Sequence, residues 1–219
     1  MSATVLTIVN KVLKKLREST VTTIDGDDYA ELITDLLTET KREVEDAWNW
    51  TALKGTVLLA TLASVYRYKI SAVYQGSVIK DIYDQTNDNY LIFDPDAVKE
   101  GLKYASPETG QPLYYDFIGY NDGEMLIDIF PVPDVADIRM YVNGKYVQGD
   151  ISYTDPDTTY IATPMLPLIL GTYIRALDER GDDSGESYMK AEVKYNRSLA
   201  DAISYENAAQ GDTKDWEVE

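Results

Sequence analysis

Chemistry in this chain would have to come from carboxylates. Its 219 residues include 38 Asp and Glu against 20 Lys and Arg, and no histidine or cysteine. Without histidine the commonest general base and metal ligand are gone, and with them every Ser-His-Asp or Cys-His arrangement. Without cysteine there are no thiolates and no disulfides, a composition that fits a protein made in a reducing cytosol. Three acidic clusters have residue types suited to calcium: Asp25-Gly26-Asp27-Asp28, Asn87-Asp88-Asn89 and Asp155-Pro156-Asp157. None has alternating acids with a central glycine and a closing glutamate at the calcium-loop spacing. Turn and helix-cap chemistry is the expectation for all three, and neither a metal nor a cofactor is expected. So many acids must bring some carboxylates close together, so a general acid/base pair of the glycosidase kind stays open. The glycine patterns of phosphate loops, dinucleotide folds and nucleophile elbows are missing.

A formal charge of −18 excludes a phosphate-neutralising patch, which needs clustered lysines and arginines. The same charge presents a poorly adhesive surface to DNA passing nearby. Tyrosine occurs 18 times and phenylalanine 3 times. A residue with an apolar body and a wet tip suits half-buried strands and interfaces alike. Residues 208–219 (AAQGDTKDWEVE) are polar and acidic apart from Trp216. Such a stretch is expected to be disordered in a free monomer, with its tryptophan an anchor that orders on a partner. No run approaches the roughly 18 apolar residues of a membrane span. Lys11, Lys14 and Lys15 interrupt anything like a signal peptide, so the chain reads as soluble.

The elements that position these groups are organised around residues 27–50. Tyr29, Leu32, Ile33, Leu36, Leu37, Val44, Ala47 and Trp48 recur at helical spacing, with Glu31, Asp35, Glu39, Arg42, Glu43 and Asp46 opposite. Asp28 is placed to cap this helix, with Glu31 three residues on. Lys41 with Glu45 and Arg42 with Asp46 read as i, i+4 pairs of little energetic weight. Trp48 and Trp50 carry apolar area to a helix–sheet junction. A first helix over residues 4–18, striped by Val5, Ile8, Val9, Val12, Leu13 and Leu16, pairs with it as a hairpin.

From Thr51 the period becomes that of strands, over residues 56–62, 66–74, 78–83, 90–93, 113–120, 124–130 and 137–142. Asp122-Gly123 and Asn143-Gly144 are hairpin signals, the second returning through residues 145–148. Asp94 and Pro95 predict a short helix over 95–104. A third long helix opens with Thr163 as N-cap and Pro164 next, burying Leu166, Ile169, Leu170, Tyr173, Ile174 and Leu177. A fourth starts at Ser184 and Glu186, after Gly181-Asp182-Asp183, and buries Tyr188, Ala191, Tyr195, Leu199, Ala202 and Ile203 before ending near Glu206. The expected fold is α+β. It has a four-helix α domain of two N-terminal and two C-terminal helices (residues 1–50 and 160–207), an inserted antiparallel β module (51–159) and an extended C-terminal tail (208–219).

Four phrases carry a likeness to known proteins: Tyr29-x-x-Leu32-Ile33, the ending Glu43-Val44-Glu45-Asp46-Ala47-Trp48-Asn49-Trp50, the strand-plus-proline turn Asp128-Ile129-Phe130-Pro131-Val132-Pro133-Asp134, and the opening Thr163-Pro164-Met165-Leu166-Pro167. With the order of elements, they make the chain resemble the head-to-tail adaptors of tailed bacteriophages, the tail tubular A-type gatekeepers and related connectors. The resemblance implies a structural virion protein and not an enzyme. It implies a homo-oligomeric ring, expected to be dodecameric, that joins the portal protein to a tail or nozzle protein. DNA would pass through the lumen during ejection without specific binding. The ring would assemble in the host cytoplasm and sit in the virion neck. The resemblance further implies that residues 208–219 reach the portal, with Asp212, Asp215, Trp216 and Val218 as partner-binding residues. Two readings from other classes stand beside it: a carbohydrate- or receptor-binding tail-associated module with exposed, coplanar tyrosines, and a carboxylate-pair hydrolase with a deep acidic cleft.

Overall fold

The computed structural model describes residues 3–154, 159–181 and 185–211. Along the chain run β1 (Ala3–Thr4), α1 (Val5–Lys15), α2 (Asp28–Ala47), a 3-10 turn (Thr51–Leu53), β2 (Lys54–Ala60), β3 (Arg67–Tyr74), β4 (Val78–Asp84), β5 (Asn89–Tyr90) and β6 (Ile92–Phe93). Then come α3 (Pro95–Leu102), β7 (Tyr114–Asn121), β8 (Glu124–Phe130), β9 (Arg139–Lys145), β10 (Tyr160–Ile161), α4 (Met165–Glu179) and α5 (Glu186–Gly211). They form two compact units, Met1–Ala52 with Asp150–Glu219, and Leu53–Gly149.

In the first unit α1 is capped by Thr4, whose hydroxyl accepts from the Thr7 N–H at 3.3 Å, and its apolar stripe is buried. The cap of α2 is Asp27 rather than Asp28: its carboxylate accepts from the Ala30 N–H, and Glu31 accepts from the Gly26 N–H, both at 2.9 Å. The inner face of α2 is also turned from expectation. It consists of Ala30, Ile33, Thr34, Leu37, Thr40, Lys41, Val44 and Glu45, while Ala47 is exposed. Lys41 and Glu45, expected at the surface, form an ion pair of 3.1 Å with both side chains only 2 % exposed. Arg42 pairs with Asp150 at 2.7 Å instead of with Asp46. Buried Thr34 and Thr40 are satisfied by donating back to the carbonyls of Ala30 and Leu36. The Trp50 indole, sealed inside, donates to the Val44 carbonyl at 2.6 Å.

Helix α4 starts one residue later than expected. Pro164 is its cap, without a side-chain bond, and the Thr163 hydroxyl is buried without a partner. Leu166, expected on the inner face, is exposed, whereas Leu168, Ile169, Leu170 and Leu177 are buried. Helix α5 buries Ala191, Tyr195 and Ser198 and continues to Gly211, so residues 208–211 are helix rather than tail.

The second unit overturns the expected fold, a four-helix domain with an antiparallel insert. The class remains α+β, but there are five α-helices and three sheets among the described residues. One small sheet, β1 with β10, lies in the first unit. The other two are four-stranded, β2-β9-β4-β5 and β3-β8-β7-β6, and β6 pairs with β7 in parallel. They share one core, Tyr68, Ile70, Ile127 and Ile129 from one sheet meeting Ile82, Met140 and Val142 from the other. The fifth helix, α3, has Asp94 as its cap and packs on β7 and β8, with Gly101 against the Phe130 ring.

Asp122 and Gly123, both at positive φ, turn β7 into β8 as expected. Asn143-Gly144 does not make a turn. Both residues lie inside β9, the strand between β2 and β4. Asn143 accepts from the Thr56 hydroxyl and donates to Asp81, each at 2.6 Å. Glycine comes next because a Cβ at 144 would sit 2.3 Å from the Val78 carbonyl oxygen.

Gly144→Ala should therefore destabilise the protein by at least ~2 kcal/mol, because backbone cannot move aside as a side chain can. A lowered denaturant midpoint with an unchanged slope would show it. Lys41→Met alone should cost about 3–5 kcal/mol by leaving Glu45 buried and charged, and Lys41→Met with Glu45→Leu should cost much less. Equal losses for the single and double variants would count against the buried-pair account.

Candidate functional site

Strand alternation divides β2-β9-β4-β5 into two unlike faces. Val57, Leu59, Met140, Val142 and Ile82 point into the shared core. On the other side, the register aligns Leu58 with Tyr141, Tyr141 with Tyr83, and Tyr83 with Tyr90. One apolar and aromatic row thus crosses all four strands. Its two ends are open to solvent, Leu58 56 % and Tyr90 62 % exposed, and Tyr141 and Tyr83 between them are half-buried. The rings of Tyr83 and Tyr90 lie 5.1 Å apart, tilted by 47°. Two of its three tyrosine hydroxyls are held by hydrogen bonds, Tyr83 donating to Asp88 at 2.7 Å and Tyr141 to Gln85 at 3.1 Å. The Asp88 hydrogen bond holds the Tyr83 phenol above its ordinary pKa, so it stays a donor.

Polar and cationic groups border this row. Thr56, Asn143 and Asp81 form a hydrogen-bonded line beside it. Lys54 lies opposite Lys145 at one end of the strands, and Arg139 opposite Ala60 at the other. Lys80, the extra residue of a bulge between Ile79 and Asp81, has its ammonium 3.9 Å from Asp81.

The acidic clusters resolve into structural chemistry where they are described. Asp27 is a helix cap, and buried Asp84 accepts from the N–H groups of Thr86 and Asn87 and from the Asn87 amide, fixing the turn that holds Asn87-Asp88-Asn89. Asp155-Pro156-Asp157 lies outside the described residues. A carboxylate pair does exist: Asp116 on β7 faces Asp128 on β8, both buried. Arg67 grips Asp128 with two bonds of 2.7 and 2.8 Å, and the Lys99 ammonium lies 3.7 Å from Asp116. Like charges directly opposite on a sheet repel, and these two cations offset that. Among the described residues no group of three or more Asp or Glu is placed to hold a metal, and no helix is long and apolar enough to cross a membrane.

The first unit has a cavity of about 390 Å³ lined by Trp50, Ala52, Pro164, Met165, Leu166 and Glu206. Thr163 and Glu206 supply polar groups to its lining, and the Glu206 carboxylate accepts from the Thr51 N–H at 2.5 Å. At the edge of the helices, half-exposed Glu43 accepts from the Tyr195 hydroxyl at 2.6 Å and from Arg175 at 2.5 Å. Burial pushes the Glu43 carboxyl up, but these two hydrogen bonds and the Arg175 charge outweigh it, so its pKa is lowered. Burial, with Glu43 beside it, raises the Tyr195 phenol far above its ordinary value.

The sequence-predicted partner residues Asp212, Asp215, Trp216 and Val218 lie outside the described residues. Sequence reasoning misses the Leu58–Tyr141–Tyr83–Tyr90 row because Asn143-Gly144 has the look of a turn. The signal is present all the same: Arg139, Tyr141, Asn143 and Lys145 alternate outward straight through that dipeptide. No protein-family model matches the chain, and no curated protein matches it.

A carboxylate whose pKa is lowered by folding contributes stability above its unfolded pKa and loses it as pH falls through the folded value. Tyr195→Phe should therefore cost ~1 kcal/mol at neutral pH, where Glu43 is ionised. That cost should shrink once the pH drops below the ordinary carboxylate value of 4.5. Urea titrations of both proteins across that range would show it, and a cost independent of pH would separate Tyr195 from Glu43.

Proposed function

We propose that this chain is a structural subunit of a tailed-phage virion, a head-to-tail adaptor that assembles as a ring between portal and tail. The observation that carries the reading is the bare outer face of β2-β9-β4-β5. Protein interfaces enrich tyrosine at the centre and leave charge to the rim. Leu58, Tyr141, Tyr83 and Tyr90 occupy the centre of this face, and Lys54, Lys145 and Arg139 its border. Such a surface suits docking to protein, whereas the buried carboxylates that face each other, Asp116 and Asp128, are engaged by Lys99 and Arg67. In this reading the chain does no catalysis and uses no cofactor.

Copies surround a channel through which DNA passes without specific binding, since a subunit charge of −18 supplies carboxylates enough to repel phosphate. Asp212, Asp215, Trp216 and Val218 contact the portal, and the opposite rim of the ring meets the tail or nozzle protein. Assembly takes place in the host cytoplasm and the product sits in the virion neck. A sugar-stacking platform would need coplanar exposed rings; the described aromatic pairs are tilted at 47°, 56° and 68°.

Light scattering of the purified chain, alone and mixed with a portal ring, tests this. The expected result is a 24.6 kDa monomer alone and a gain of about 295 kDa on the portal, the mass of a closed ring of twelve. A chain that stays at its monomer mass beside every portal offered would sink the proposal.

A further inference from the structure

The cavity of the helical unit has the lining of a seat for an apolar body with one polar tip. Buried Trp50 and exposed Leu166 wall it, with Ala52, Pro164 and Met165 between. Thr163 belongs to the same lining. It is only 2 % exposed, and its hydroxyl has no hydrogen-bond partner among the described residues. A hydroxyl sealed in that state carries a desolvation cost that a polar group placed against it would remove. The Glu206 carboxylate, which accepts from the Thr51 N–H, turns anions away from the lining and favours an N–H donor. Beside the wall, the Lys11 ammonium lies 3.3 Å from the Met165 sulfur. A thioether is a weak acceptor, and Lys11 forms no ion pair among the described residues.

We infer that this cavity seats the Trp216 side chain of the same chain. An indole brings a flat apolar body and a single N–H, which needs an acceptor when buried, and the Thr163 oxygen offers one. Residues 212–219 contain no other aromatic side chain, and Asp215 and Glu217 flank Trp216. With the ring inside, those carboxylates stay at the rim, where Lys11 can pair with them.

The end of α5 brings this segment within reach. The helix contributes Glu206 to the lining and ends at Gly211. Gln210 donates to the Asn49 carbonyl at 2.9 Å and to the Thr51 hydroxyl at 3.3 Å. The last turn of α5 is thereby held against the segment that carries Trp50 and Ala52. Returning from Gly211 to the level of Glu206 takes about 7.5 Å along the helix axis. The five residues from Gly211 to Trp216 can span about 17 Å. So short a tether gives an effective concentration in the millimolar range, which favours the chain's own tryptophan over a neighbour's. This seat does not depend on the adaptor reading. Where the two meet, cavity and portal compete for one side chain, and the cavity restrains it until a portal is present.

Fluorine NMR of the full chain labelled with 5-fluorotryptophan tests the seat. The chain has 3 tryptophans, and Trp216→Phe identifies the signal of Trp216. That signal should be displaced from the position of N-acetyl-5-fluorotryptophanamide in water and should not move on dilution. Leu166→Asp, a carboxylate at the exposed rim in a first helical turn that tolerates it, should return the signal to that position. The Trp48 and Trp50 signals should stay dispersed, showing that the fold is intact. Millimolar N-acetyltryptophanamide should move the Trp50 signal of Trp216→Ala at least about threefold more than that of the parent, whose tethered indole competes. A Trp216 signal at the free position overturns the inference, as does one displaced only at high concentration, where a neighbour's segment is bound. So do equal responses to the amide in the two proteins. A chain that joins a portal as a ring yet shows a free Trp216 when alone overturns the seat and leaves the adaptor reading standing. A chain with Trp216 seated that ignores every portal upholds the seat and sinks the adaptor reading.

Discussion

The helical unit depends on a pair of charges sealed from water. Removing Lys41 and Glu45 from solvent carries a desolvation cost of several kcal/mol per ion, recovered only while the two stay in contact. At 3.1 Å and one helical turn apart, they restrict α2 to rotations that keep both inside. The same rotation fixes the partners of its other polar residues. It turns Thr40 toward α4, where Thr172 and Arg175 donate to its hydroxyl at 3.3 and 3.2 Å. It also presents Glu43 to Tyr195 of α5 and to Arg175 of α4. Gly171 lets the helices close in, since a Cβ there would lie 2.6 Å from the Thr40 methyl. One buried pair thereby selects a register shared by three helices.

The β unit obeys a different constraint. Two sheets packed on a common core leave two outer faces, and here they are treated unequally. One takes α3, with Phe130 against Gly101 and Lys99 reaching Asp116. The other has no helix of its unit on it and carries Tyr83 and Tyr141 half-buried, with hydroxyls already bonded to Asp88 and Gln85. Tyrosines fixed in this way lose little freedom when something covers them. The rigidity comes from β9, paired on both sides, with Asn143 bridging Thr56 and Asp81.

Much of the fold was legible in the residues. The stripe of α1, the Asp94 cap of α3 and the Asp122-Gly123 hairpin arise from local spacing and turn chemistry, which act within a few residues. What failed was decided at longer range. Lys41 and Glu45 have the spacing of an ordinary surface pair, and nothing local shows that packing seals them. Asn143-Gly144 has the composition of a tight turn, but glycine was required there by the Val78 backbone on a neighbouring strand. The parallel pairing of β6 with β7 joins two-residue segments too short to leave a periodic signal. The candidate face was hidden for the same reason: its row is assembled from four strands, and only register brings Leu58, Tyr141, Tyr83 and Tyr90 together.

The measurement that bears most directly on this account is an electron cryo-microscopy reconstruction of the chain bound to a portal ring. The account predicts a closed ring of copies in which the outer face of β2-β9-β4-β5 is covered by protein, around a channel lined with carboxylates. A single bound copy, or a ring in which Leu58, Tyr83 and Tyr90 still face solvent, would contradict it.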